Sequence, residues 1–170
     1  MTRHPAIIHW HEIEEQDPGC FRGTTEPMGK PASLGDNFGL KTIGINHMRL
    51  APGQRTSLPH AESHEEEFVH VIVGAPDVWL DGDLHRLKPG DSVGFPAGTG
   101  LAHSFLNNTA DEVRLLVVGN TDLDTNRIVY PINPERKAWR TDWWHEAPAR
   151  KLGPHDGLTD QRRAVITRGA

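Results

Sequence analysis

The chain has 170 residues, a formal charge of −5 and 36% apolar residues, enough for one packed domain carrying an extension. It has no run of Lys or Arg, which argues against a nucleic-acid surface, and no apolar stretch of about eighteen residues that would span a membrane. Cys20 is the only cysteine, so no internal disulfide can form, and no apolar leader follows Met1. The expectation is a cytoplasmic protein. Seventeen Gly and thirteen Pro imply frequent turns and many short strands.

Three zones follow in chain order. Residues 1–40 are irregular, broken by Pro18-Gly19, Pro27, Gly29 and Pro31. Residues 41–120 read as strand after strand. Thr42 to Leu50 closes at Ala51-Pro52-Gly53, then come Leu58 to Glu62 and Phe68 to Val73, which ends at Gly74. Val78 to Leu80 and Leu84 to Leu87 flank Asp81-Gly82, a hairpin signal because both residues tolerate positive φ. Ser92 to Phe95, Ala102 to Leu106 and Glu112 to Val118 complete the set. Short strands at this regular spacing, with no helical period between them, predict an all-β sandwich or barrel.

Residues 121–170 return to Pro-, Trp- and charge-rich text. One short helix is predicted there, capped by Asn133 with Pro134 at its first position. Trp139 and Trp143, four apart, would share its face, either as a lid or as an anchor to the barrel wall or a second subunit.

The chemistry-bearing residues lie in two stretches. On a strand His60 and Glu62 share a face. Glu67 heads the apolar row Val69, Val71 and Val73, and a carboxylate there is costly unless paired or metal-bound. His103 begins a strand just past a Gly-rich turn, as Glu67 begins its own. Two hairpins of one barrel can bring His60, Glu67 and His103 to a common mouth, a two-His, one-carboxylate set suited to a divalent transition metal. Glu65, Glu66 and His64 read as solvated turn residues, and His70 as an outer-face histidine. Arg49, alternating with His47, reads as one half of a surface salt bridge, and Asn107 as a turn anchor. His85 reads as exposed, His4, His9 and His11 are tail residues that nothing places at the site, and His145 and His155 are within the zone that could approach the barrel mouth.

These stretches resemble the two motifs of the cupin superfamily. Gly53, His60, Glu67 and Gly74 follow the first, with four residues between Glu62 and Glu67. Gly90, Pro96, Gly98, His103 and Asn107 follow the second, with four residues rather than two before the histidine. The resemblance covers about residues 41–120. It implies a double-stranded β-helix or jelly-roll barrel, with residues 1–40 and 121–170 as irregular extensions. It also implies one divalent metal (Fe, Mn, Zn or Ni), a small-molecule ligand and a homodimer. The family commonly holds its metal with three His and one Glu; here Glu62 stands where the second His is expected, giving His60, Glu62, Glu67 and His103. Glu62 is then a fourth ligand, a catalytic base beside a three-ligand metal, or the mark of a lost site. The implied activities are an isomerase or epimerase, a dioxygenase, or a non-catalytic ligand-binding module.

Overall fold

The computed structural model describes residues 3–121 and 124–169. Ten strands carry the fold: β1 (Lys30–Ser33), β2 (Ile43–Leu50), β3 (Ala61–Glu62), β4 (Glu67–Val73), β5 (Asp77–Leu80), β6 (Asp83–Arg86), β7 (Ser92–Phe95), β8 (His103–Leu106), β9 (Val113–Asn120) and β10 (Ile128–Val129). Two short helices join them, α1 (Leu34–Asn37) and α2 (Asp160–Gly169), with 3-10 turns at Trp10–Glu12 and Pro134–Trp139. An antiparallel five-stranded sheet runs β1-β2-β9-β4-β7. Facing it is a second layer made of β6-β5-β8 and the pair β10-β3, which single bridges at Arg55–Leu106 and His60–His103 draw together. The resemblance implied a barrel. Among the described residues the two layers face each other as separate hydrogen-bonded sheets.

Period-two alternation explains the layering. Val69 and Val71 of β4, Leu50 of β2, and Val113 and Leu115 of β9 point inward against Val78, Phe95 and Phe105. The other face of β5 and β8 buries Trp79 and Leu106 with Ala61, Ala102 and Trp144, so the C-terminal segment covers the back of the second layer. Gly74 ends β4 at φ +83, where a Cβ would stand 2.6 Å from the Glu112 carbonyl; only glycine fits that turn. Asp81 and Gly82 both have positive φ, as a two-residue hairpin requires.

Four differences from the sequence reading have physical causes. The strand expected over Leu58–Glu62 is reduced to Ala61–Glu62, since Pro59 has no N–H to give to a ladder. β1 and β10 lie in the flanking zones and pair with β2 and β3; each is too short to show an alternation. The Asn133–Pro134 helix is the 3-10 turn Pro134–Trp139, with no cap bond from Asn133 and an extended Arg140 at its end, so Trp143 does not share its face. The unforeseen α2 has its apolar residues in one short run, Ala164-Val165-Ile166, with Val165 and Ile166 exposed, and so shows no buried stripe of helical period.

Two arginines fasten the flanks. Arg49 takes Glu14 (2.6 and 2.5 Å) and Glu112 (3.0 Å), while Trp10 stacks on His47 at 4.1 Å. Arg55, 3% exposed, forks onto Glu26 (2.7 and 2.8 Å) and donates to the Gly157 carbonyl at 2.6 Å. One buried guanidinium therefore ties both termini to the second layer. Replacing Arg55 by Ala leaves Glu26 charged and unpaired in the interior, an expected loss of about 3–5 kcal/mol in denaturant unfolding. Burial raises the Glu14 carboxyl, but the hydrogen bonds and charge of Arg49 outweigh it, and its pKa falls below the ordinary 4.5. A depressed carboxylate stabilises the fold above the unfolded-state pKa and loses that contribution as pH falls through the folded value. Glu14→Gln is therefore expected to lower the melting temperature at neutral pH, with the gap to wild type closing below about pH 4.5.

Candidate functional site

His60 and His103 are held opposite each other by reciprocal backbone bonds, His60 N to His103 O at 3.2 Å and His103 N to His60 O at 2.9 Å. Directly opposed residues of an antiparallel pair share a face, and the imidazole centroids lie 5.0 Å apart. Glu67, opposite Phe95 in the register of β4 and β7, reaches His103 Nε2 at 3.2 Å. Phe95 stacks on His103 at 3.6 Å and fixes its plane. Nδ1 of His60 lies 2.8 Å from the Leu58 carbonyl and that of His103 3.4 Å from the Leu101 carbonyl. With Nδ1 occupied in this way, Nε2 is the nitrogen each ring presents to the interior.

Charge follows burial. Desolvation, the neighbouring His103 and, to a lesser extent, Arg140 lower His60 to about 4, against smaller upward pulls from Glu67 and the Leu58 carbonyl, so the ring is neutral at pH 7. Burial raises Glu67, but the His103 hydrogen bond and the two histidines outweigh it and the carboxyl is lowered. Neutral imidazole and ionised carboxylate are the protonation states in which these groups bind a metal. Glu62 is pushed up to about 8 by burial and by the charges of Glu65 and Glu67. Glu65 is also raised, chiefly by burial.

Glu62, Glu65, Glu67 and His103, with Phe95 and Leu101, line a cavity of about 10 Å³, room for one water or ion. A larger opening of about 470 Å³ shares Glu67, Phe95 and Pro96 with it, but most of its lining, including Ile43, Phe68 and Val118, belongs to the five-stranded sheet. Among the described residues no group of three or more His, Cys, Asp or Glu side chains stands in metal-holding geometry. Glu67 instead closes on His103.

The four sequence candidates therefore lie at one end of the sandwich interior. Glu65, expected as a solvated turn residue, is corrected: its carboxylate lines the cavity beside Glu62. Glu66 and His64 are exposed, and His70 bonds Ser92 Oγ at 2.8 Å. Asn107 is fully buried and donates to the Leu50 and Asp111 carbonyls (3.0 and 2.8 Å), a turn anchor. His155 is engaged with Gly157 and Arg163, away from the donors.

Sequence reasoning missed two residues. Tyr130, just after β10, places its ring 5.8 Å from His60. Asn126 accepts the backbone N–H groups of His64 and Glu65 (3.1 and 3.3 Å) and donates to Glu62 and Glu65 (3.2 and 3.4 Å). Each comes from the C-terminal zone, where no motif marks them.

The Cupin_2 family model, described as a cupin domain, matches residues 46–119. A solved sugar phosphate isomerase of the cupin superfamily from Silicibacter pomeroyi is 36% identical, with 69% of this chain and 74% of that one covered and a TM-score of 0.60. The chain belongs to the cupin superfamily. A second cupin neighbour, provisionally assigned as a sugar phosphate isomerase, comes from Acidithiobacillus ferrooxidans (35% identity, 61% of this chain, TM-score 0.58). The polyketide synthase CurC of Streptomyces cyaneus is 27% identical over 66% of this chain. This cupin spans 65% of the Acidithiobacillus protein's length and 67% of the Streptomyces one's. No helix among its described residues is long and apolar enough to cross a membrane.

Asn126→Ala leaves two backbone N–H groups without an acceptor and removes the amide that bridges Glu62 and Glu65. The expected result is a loss of roughly 1–3 kcal/mol in stability, with faster amide exchange at His64 and Glu65 by hydrogen-exchange NMR.

Proposed function

We propose that this cupin is a metal-dependent enzyme of the isomerase or epimerase type acting on a small polar molecule. His60, Glu67 and His103 hold a divalent transition metal, and Glu62 moves protons beside it. The observation that carries this reading is the convergence of His60, His103 and Glu67: the two rings lie 5.0 Å apart, each with Nδ1 near a backbone carbonyl, and His103 and Glu67 line a cavity the size of an ion. A bound metal supplies Lewis-acid polarisation of a substrate oxygen.

The chain's own residues do the rest. Phe95 fixes the His103 ring and excludes water from its face. Asn126 holds the carboxyls of Glu62 and Glu65 side by side, so a proton taken up at Glu62 can be shared with Glu65 and returned. Two carboxyls that pass one proton suit an enolisation, in which a proton leaves one substrate carbon and is delivered to the neighbouring one. The likeness to the Silicibacter sugar phosphate isomerase supports that class.

The test is metal analysis of the purified, reconstituted protein beside His60→Ala, His103→Ala and Glu62→Gln. Wild type is expected to bind one equivalent; less than about a tenth overturns the reading. The two histidine variants are expected to lose at least about tenfold in affinity. Glu62→Gln separates two roles: retained metal with lost turnover on a panel of aldose and ketose substrates makes it the base, and lost metal makes it a ligand.

A further inference from the structure

The geometry points to a phosphate-binding pocket formed by Arg22, Arg136 and Arg140 beside Tyr130, and we propose that it anchors the phosphoryl group of a small phosphorylated molecule. The C-terminal 3-10 turn meets the N-terminal segment there. Trp139 lies so close to Gly23 that a Cβ at that glycine would stand 2.9 Å from the ring, and this packing brings Arg22 alongside. Arg22, Arg136, Trp139, Arg140, Thr141 and Asp142 line a pocket of about 300 Å³.

The charge of the lining is unbalanced. Arg140 is neutralised by a fork to Asp142 (2.9 and 2.5 Å). Among the described residues neither Arg22 nor Arg136 pairs with a carboxylate, so the lining carries two positive charges in excess. A phosphate monoester at neutral pH carries close to two negative ones, and planar guanidinium donors match its oxygens.

The site is also held in place. The Arg136 guanidinium lies 5.7 Å from the centroids of both Tyr130 and Trp139, and its Nη2 donates to the Arg22 carbonyl at 2.9 Å. The Arg22 guanidinium lies over the Trp139 ring, 5.8 Å from its centroid. Arg140 donates to the Tyr130 hydroxyl at 3.2 Å and sits 5.6 Å from its ring. Cations stacked on rings lose little freedom when an anion arrives. A surface patch of arginines kept only for solubility needs none of these clamps.

The pocket also relates to the candidate metal site. The Tyr130 ring lies 5.8 Å from the His60 ring and 5.7 and 5.6 Å from the guanidiniums of Arg136 and Arg140. A molecule anchored by its phosphate among the arginines can extend past Tyr130 toward Glu62 and His60. This placement rests on the proposed function of that site; phosphate binding itself does not.

The test titrates inorganic phosphate into the full-length, metal-stripped protein by calorimetry, at constant ionic strength with chloride as the control anion. Wild type is expected to bind phosphate, and Arg22→Ala and Arg136→Ala to bind it at least about tenfold more weakly, with melting temperatures recorded for each. Because Arg22 is exposed, its variant keeps the test open if Arg136→Ala unfolds. His60→Ala is expected to bind phosphate as wild type does, whatever its metal content. A sugar monophosphate is expected to compete with phosphate, and the free sugar is not. No phosphate binding, equal binding by the arginine variants, loss of binding in His60→Ala, or failure of the sugar monophosphate to compete overturns the proposal.

Discussion

The segment from Gly53 to Glu62 lies along β8, and most of what this protein can do follows from that alignment. The chain there holds Pro59 and cannot form a full ladder. Its backbone bonds include Asn107 N to Gln54 O (2.8 Å), Thr56 N to Phe105 O (2.9 Å) and, at the far end, the reciprocal His60–His103 pair. Ser104 Oγ and Thr56 Oγ1 supply bonds in between (2.7 and 3.1 Å). A two-ended attachment fixes register as firmly as a regular strand does, because a slip of one residue would turn His60 and Glu62 to the opposite face. It also delivers Arg55 into the interior, where its charge must be met by Glu26 and the Gly157 carbonyl.

From this one alignment come both the site and its surroundings. His60 meets His103 through the backbone, and Glu62 pairs with Ile128 of β10. That pairing draws Asn126 and Tyr130 in from the C-terminal segment. The flanks consequently line the candidate site. Asn126 sets the spacing of two carboxyls that would otherwise repel, and Tyr130 lies near both His60 and the guanidiniums of Arg136 and Arg140. Burial does the electrostatic work: it keeps His60 neutral and raises Glu62, while Glu67 stays ionised through contact with His103.

Much of the middle zone was legible because its signals are local. Alternating apolar residues, the Asp81-Gly82 turn and the glycine after Val73 each act within a few residues of chain. The candidate donors were legible too, since side chains two apart on a strand share a face and a carboxylate at the head of an apolar row needs an explanation. Glu65 was misread because a turn residue next to exposed Glu66 and His64 looks solvated. Its burial depends on Asn126, sixty-one positions away. β1 and β10 were missed because strands of four and two residues carry no period of their own.

The amino-acid sequence by itself determined an all-β fold with its turns, and placed His60, Glu62, Glu67 and His103 where one interior could collect them. Periodicity and turn chemistry are short-range, so a linear reading captures them. Only the tertiary structure decided that Glu67 closes on His103, that Glu65 shares the cavity with Glu62, and that Arg22, Arg136 and Arg140 gather around Trp139 and Tyr130. Those contacts join residues from remote parts of the chain. Their cause is the burial of charge and aromatic surface between packed segments, which no local pattern encodes.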